Sequence, residues 1–257
     1  MKRLKRPADA RGRAGPGARR MAARLLIIGA LLVVVAGGLL IWLAFFTDAC
    51  AVRNVLVAGN KNLTTEYVHQ LSGVDSYENL ITLPVRKLSR NLERNPWIKE
   101  ARIGRRLLHT VTIRVMEREP MAMLDTGGAG FLLDDSGFVI TGIPTDQFPQ
   151  LPRIYAGEVA PPRISEQVRD SRVAGCVKVI RSMPQSLRSI LQLGNPFDGR
   201  GQVFVSRIGF NIVYGAATDL ALKNEILEAI VTDIRNNNRN IAYIDVRVAD
   251  APVIMPW

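Results

Sequence analysis

The 257-residue chain carries 34 Lys and Arg against 23 Asp and Glu, a formal net charge of +11, with 47% hydrophobic residues. That hydrophobic share excludes a wholly disordered chain, while two cysteines and two histidines exclude a disulfide scaffold and leave little for a metal centre. The charge is not spread as a nucleic-acid face would be: residues 1–24 hold nine basic residues and one acidic one, net +8, leaving +3 for the rest.

The tail is rich in Arg, Gly, Pro and Ala, a composition that does not pack, so residues 1–24 are expected to be a disordered, basic, cytoplasmic segment. From Leu25 to Phe46 the chain then runs 22 residues without a charge. As a helix this covers about 33 Å, enough for a bilayer core. The basic residues before it predict an N-terminus in the cytoplasm, and Trp42 falls near the outer interface. Three processing signals compete with an uncleaved anchor. Ala49-Cys50-Ala51 has a small-x-small look, but signal h-regions are shorter than this span. Thr47-Asp48-Ala49-Cys50 fits a lipoprotein box poorly at Asp48, and no twin-arginine consensus surrounds Arg19-Arg20.

Beyond the span, Val52, Val55 and Val57 mark a short strand that stops at the turn pair Gly59-Asn60. Thr64 is placed to cap a helix with Glu66 in its first turn, Tyr67, Val68 and Leu71 as its stripe, and Gly73 as its stop. A second helix follows Pro84, with Val85, Leu88 and Leu92 on one face, and ends at Asn95-Pro96. Trp97 to Leu107 reads as a strand. Val111, Ile113 and Val115 then alternate with Thr112, Arg114 and Met116 as a half-buried one. The order is β-α-α-β-β. Trp97 and Ile98 are expected in the core, and Glu117 and Arg118 in a solvated turn.

After Pro120 the pattern becomes strand-rich. Met121–Asp125 and Phe131–Asp134 form a hairpin around a Gly-rich turn, and Gly137–Thr141 follows as a strand. Ser165 is expected to cap a helix whose stripe is Val173, Cys176, Val177 and Ile180, which makes Cys176 a buried small hydrophobe. Strands at 190–193, 203–206 and 210–214 come next, then a helix from Asp219 to Arg235 with Leu227, Ile230, Val231 and Ile234 buried. The final strand is read as 243–248, with Ile244, Val246 and Val248 inward and Tyr243, Asp245 and Arg247 outward.

Several of these pieces, in this order behind one anchor, resemble the FtsQ/DivIB cell-division family with its FtsQ-type POTRA domain. They are Val52-x-x-Val55-x-Val57-x-Gly59-Asn60, Asn95-Pro96-Trp97-Ile98 with Ala101, Thr110–Val115, Glu117-Arg118-Glu119-Pro120 with Ala122, and Leu133-Asp134-Asp135-x-Gly137. In the second half Leu151-Pro152-Arg153-Ile154 with Gly157, Val213-x-Gly215, Lys223 and Ile244-Asp245-Val246-Arg247 are similar to family segments. Leu108 departs, standing where the family commonly has proline. The resemblance implies an α+β chain: transmembrane helix 25–46, POTRA domain 49–119, and a mixed β-sheet domain with flanking helices at 120–257 that ends in an open C-terminal edge strand. Gly59, Asn60, Pro96, Trp97, Ile98, Glu117, Arg118 and Pro120 are its structural POTRA residues.

No catalytic set is legible: Gly-x-Ser-x-Gly, His-Glu-x-x-His and a phosphate loop are all missing from the sequence. Asp134-Asp135 read as turn formers, and His69 and His109 as structural or exposed. No cofactor and no metal is expected. The resemblance implies a non-enzymatic divisome scaffold in the cytoplasmic membrane at the septum, binding bitopic coiled-coil proteins of the FtsB/DivIC and FtsL type. Tyr243, Asp245, Arg247, Val248 and Val253 are then the candidate contacts. On the residues alone, Asp245 and Arg247 read as the solvated face of an edge strand and 249–257 as a fraying end; with the resemblance the two readings stand even. A POTRA-bearing translocation component and a membrane-anchored cell-wall enzyme are the alternatives.

Overall fold

The computed structural model describes residues 16–46, 50–76, 78–106, 109–157 and 159–257. They fall into two compact units, one gathering the chain up to Leu56 with 74–84 and 105–111, the other holding 57–73, 85–104 and 112–257.

In the first unit, helix α1 spans Pro16–Phe46. It begins inside the segment expected to be disordered: proline fits the first turn of a helix, and an Ala-rich stretch joined to an existing helix needs no nucleation of its own. Residues 1–15 and Leu108 lie outside the described residues. The stretch Arg24–Leu43 has mean hydropathy 2.8 and none of it is buried against the protein, so one helix is long and apolar enough to cross a membrane. His109 belongs to this unit as a structural residue. It takes a positive φ of 71°, its carbonyl accepts from the amides of Arg53 and Asn54, and its Nδ1 lies 2.8 Å from the Ala51 carbonyl.

Strand β1 is Asn54–Ala58, β2 Ile98–Arg106 and β3 Thr110–Glu117, in a three-stranded sheet ordered β1-β3-β2. Helices α2 (Thr65–Ser72) and α3 (Val85–Glu93) pack with each other in the second unit. The expected cap is present: the Thr64 side chain accepts from the Tyr67 amide, and Gly73 ends α2 in the left-handed region. Val68, Leu88, Leu92, Ile98, Ala101, Ile113 and Val115 are buried. Two expectations fail here. Tyr67 is exposed rather than on the buried stripe, and Trp97 is only half-buried, its amide held by Asn95 and its carbonyl by the Arg118 amide.

The remaining strands are β4 Ala122–Asp125, β5 Gly130–Leu133, β6 Val139–Ile143, β7 Arg153–Tyr155, β8 Leu191–Asp198, β9 Gly201–Ser206, β10 Asn211–Gly215, β11 Ile241–Asp245 and β12 Val253–Pro256. They form one nine-stranded sheet ordered β12-β11-β10-β9-β8-β7-β4-β5-β6. Pairs β4–β7, β7–β8 and β10–β11 are parallel, so the sheet is mixed as expected. Helices α4 (Ser171–Ser182), α5 (Gln185–Arg188) and α6 (Leu220–Asn236) contribute Val173, Cys176, Val177, Ile180, Leu187, Leu227 and Val231 to the main core, together with Phe204, Ile212, Tyr214 and Ile244 from the sheet. The expected stripe is buried, and burial pushes the Cys176 thiol well up, out of thiolate chemistry. The cap is not the expected one. Asp170 accepts from the Arg172 and Val173 amides, whereas Ser165 sits at φ 68° five residues before that cap.

Lys223 on α6 is 2% exposed and has no ion-pair partner among the described residues. Its ammonium donates to the Tyr214 and Ala216 carbonyls at 3.3 and 3.2 Å and lies 5.2 Å from the Tyr214 ring centroid. Burial lowers its pKa, against the opposing fields of Asp219 and Asp245. A lysine depressed in this way is a liability below its folded pKa, and stability rises as pH climbs from that value to the ordinary lysine value near 10.4. Lys223→Met, of similar volume, should therefore fall within about 1 kcal/mol of the parent at neutral pH and lack its alkaline gain. Parallel thermal melts at pH 7 and 10 check this.

Candidate partner-docking edge

The C-terminal sequence builds two strands where one was expected. β11 runs parallel to β10 with Tyr243 opposite Asn211 and Asp245 opposite Val213. It ends at Asp245 because that carboxylate accepts from the Arg247 amide two residues on, an Asx-type turn that bends the chain out of the ladder. Ile244 and Val246 are buried as expected, but Val248 is 62% exposed in the turn and not inward. Residues 252–257 do not fray. Val253–Pro256 pairs antiparallel with β11, Tyr243 opposite Met255 and Asp245 opposite Val253. Tyr243 and Asp245 thus lie one strand in from the edge, and Val253 on it.

Of the five candidate contacts, Asp245 and Arg247 form an ion pair, and Asp245 and Val253 are cross-strand partners. Asp245 accepts from Arg247 Nε at 3.1 and 3.0 Å and pairs with its Nη2 at 2.8 Å. Partial burial works against the Asp245 charge, but Arg247 and the nearby Arg200 outweigh it and hold the carboxyl below its usual value. Arg200 in turn pairs with Asp198, which sits at about 2 because Arg200 hydrogen-bonds it. The Arg247 stem lies over Gly215, where a Cβ would come within 2.7 Å of its Cγ.

The residues missed are Ile254, Met255 and Trp257. With Val253 they leave a run that is 38–78% exposed and almost wholly apolar. Two prolines, 252 and 256, bracket it, and this was the available signal: proline in a strand pattern belongs at an edge. Among the described residues β12 has β11 as its single neighbour, so alternate amides and carbonyls on its far side are unpaired. The other edge differs. Val139 of β6 exchanges hydrogen bonds with Glu166 and Ser165, so that edge is partly covered.

The POTRA motif residues have structural roles. Gly59 takes φ +88° against the Val115 carbonyl, Asn60 Nδ2 donates to the Leu63 carbonyl at 2.8 Å, Ile98 is buried, and Pro96 and Pro120 are half-buried. Glu117 is not solvated. It is 6% exposed and its carboxylate accepts from the amides of Lys61, Asn62 and Leu63 and from Asn62 Nδ2. Arg118 pairs with the buried Asp134 at 2.6 Å and stacks 3.7 Å over the Phe138 ring. Asp134 also accepts from Ser136 and Phe138, so it is both the turn former expected and a buried ion-pair partner. No group of three or more His, Cys, Asp or Glu suited to a metal occurs among the described residues.

Parts of the chain are similar to known proteins. Residues 50–118 match the family model of the POTRA domain, FtsQ-type. The chain is 31% identical over 114 residues to the cell division protein FtsQ of Rickettsia felis, covering 42% of each chain. It is 25% identical over 209 residues to the FtsQ of Agrobacterium fabrum, covering 79% of this chain and 61% of that one. The matched stretches span about a third to two-fifths of the Rickettsia relatives, 34% of the Rickettsia typhi protein and 42% of the Rickettsia felis one. A solved structure, the major extracytoplasmic domain of the trans isomer of the cell division protein DivIB from Geobacillus stearothermophilus, aligns with TM-score 0.34 and 15% identity over 47% of this chain and 97% of that one. The sequence matches centre on the FtsQ-type POTRA domain at residues 50–118, and in that region the chain is similar to cell division proteins FtsQ.

Proposed function

We propose that the chain is a non-enzymatic scaffold of bacterial cell division, held in the cytoplasmic membrane by α1 with its N-terminus in the cytoplasm. Its C-terminal edge receives a strand from the membrane-proximal part of small bitopic coiled-coil partners of the FtsB/DivIC and FtsL type. The observation that carries this reading is β12: a bare, uncharged edge with exposed Val253, Ile254 and Met255 beside Trp257. Such an edge offers main-chain hydrogen bonds for affinity and apolar side chains for specificity. The neighbouring Asp245–Arg247–Arg200–Asp198 charges would fix the register of the incoming strand.

The test is co-purification of the full chain with such partners, paired with depletion. Septum-less filaments on depletion, and partner capture by the parent chain, are the expected results. Val253→Lys with Met255→Lys, both on exposed positions, should lower capture about tenfold or more without changing the melting temperature, since lysine on an edge opposes strand addition. Normal division on depletion would overturn the role. Undiminished capture by the lysine variant would overturn the edge as the docking site.

A further inference from the structure

Helix α3 and the strand that follows it carry a charge pattern the scaffold reading does not use. Arg86, Arg90 and Arg94 recur every four residues, with Lys87 beside them, and all four are exposed. Like charges at this spacing repel one another across successive helix turns. None of the four has an ion-pair partner among the described residues. The one carboxylate on the helix, Glu93, accepts the Ala101 amide of β2 at 3.1 Å and stands in the wall of the groove between the two elements. On β2, Arg102 is paired with Glu100. Arg86, Arg90 and Arg102 line an open groove of about 380 Å³ with Ser89, over the apolar side chains of Val85 and Ile103, against the single carboxylate of Glu93.

We propose that this groove binds the phosphodiester headgroups of anionic lipids, so that the α3–β2 face docks on the outer surface of the membrane that α1 spans. The chemistry fits. Guanidinium groups and a hydroxyl suit phosphate oxygens, and two aliphatic side chains suit the glycerol beneath. Seven residues separate the end of α1 at Phe46 from the start of β1 at Asn54, a reach of at most about 25 Å. A bilayer is therefore always within range, and individually weak contacts suffice because the tether supplies a high effective concentration. A freely diffusing acidic protein would need an apolar or aromatic anchor at the centre of its site, and the groove offers only Val85 and Ile103. From the preceding reading the proposal takes only that α1 spans a bilayer, and incorporation of the full chain into lipid discs reports on that separately.

The experiment is arginine modification by phenylglyoxal, read residue by residue by mass spectrometry on the full chain in discs. Discs of phosphatidylcholine are compared with discs containing phosphatidylglycerol. Modification of Arg86, Arg90 and Arg102 should slow about threefold or more with phosphatidylglycerol and recover in high salt, while the exposed Arg114 and Arg153 react equally in both. In the Arg86→Gln/Arg90→Gln chain, Arg102 should lose its protection while the melting temperature is unchanged. Equal rates in the two disc types would overturn the proposal. So would protection by soluble glycerol phosphate alone, which would mark a free-phosphate site, or protection by polyglutamate but not by phosphatidylglycerol, which would mark a protein partner.

Discussion

Alanine at Gly59 should destabilise the POTRA region by about 4 kcal/mol, enough to unfold it near physiological temperature. Two costs combine. The backbone sits at φ +88°, where an L-side chain costs roughly 1–2 kcal/mol. An added Cβ would also lie 2.1 Å from the carbonyl oxygen of Val115. That oxygen belongs to β3, so relief requires moving a strand rather than rotating a side chain, at the upper end of the roughly 1–3 kcal/mol typical of overpacking. Gly73 separates the two costs: its φ is 68°, but nothing lies within 4 Å of its would-be Cβ. Gly73→Ala should therefore cost only about 1 kcal/mol, the conformational part alone. Near-UV circular dichroism melts of the two variants in the same detergent provide the comparison. Similar melting temperatures would mean that the approach to Val115 does not govern the Gly59 site.

The sequence was most legible where physics acts locally. A charge-free run, a Thr cap, alternating valines and a Gly-Asn stop each encode their own element; α2, β1 and β3 stand where they were expected, and α1 ends there but starts earlier. It was least legible where the deciding partner lies far along the chain. Glu117 looked like any charged residue leaving a strand, yet its donors sit 54 to 56 residues upstream. Ser165 and Asp170 are both good capping residues, and only the packing of Val173 and Cys176 selects which one begins α4. At the C-terminus the period-2 pattern ran past Asp245 without a visible break, because the turn is made by that side chain bonding the Arg247 amide. The structure places Tyr243 and Asp245 on β11 and Val253 on β12, while the separate edge strand with Ile254 and Met255 was not anticipated. A four-residue strand between prolines carries too few positions for its periodicity to stand out.

Glu117→Gln should cost about 2–3 kcal/mol, because the carboxylate is the common acceptor of the loop between β1 and α2. Two backbone amides reach it at 2.8 Å, a third at 3.1 Å, and Asn62 Nδ2 at 2.9 Å. Glutamine keeps one oxygen but turns an NH2 toward donors, so part of this set loses its partner. Burial opposes the Glu117 charge, but the amides of Asn62, Lys61 and Leu63 prevail and hold its pKa below the ordinary value of 4.5. A carboxyl depressed on folding stabilises fully above its unfolded pKa and loses that contribution as pH falls through the folded one. Asp134 behaves alike: burial opposes its charge, and Ser136, Phe138 and Arg118 outweigh it. The parent should therefore lose stability progressively below about pH 4.5, whereas Glu117→Gln starts lower and shows a flatter acid limb. Glu119, fully exposed in its pair with Lys61, is the contrast: Glu119→Gln should leave both the melting temperature and the acid limb as they are, since solvent and salt screen that pair. Denaturant titrations of the three chains between pH 3 and 7 measure both quantities, and an acid limb in Glu117→Gln as steep as the parent's would remove Glu117 from the acid-sensitive set.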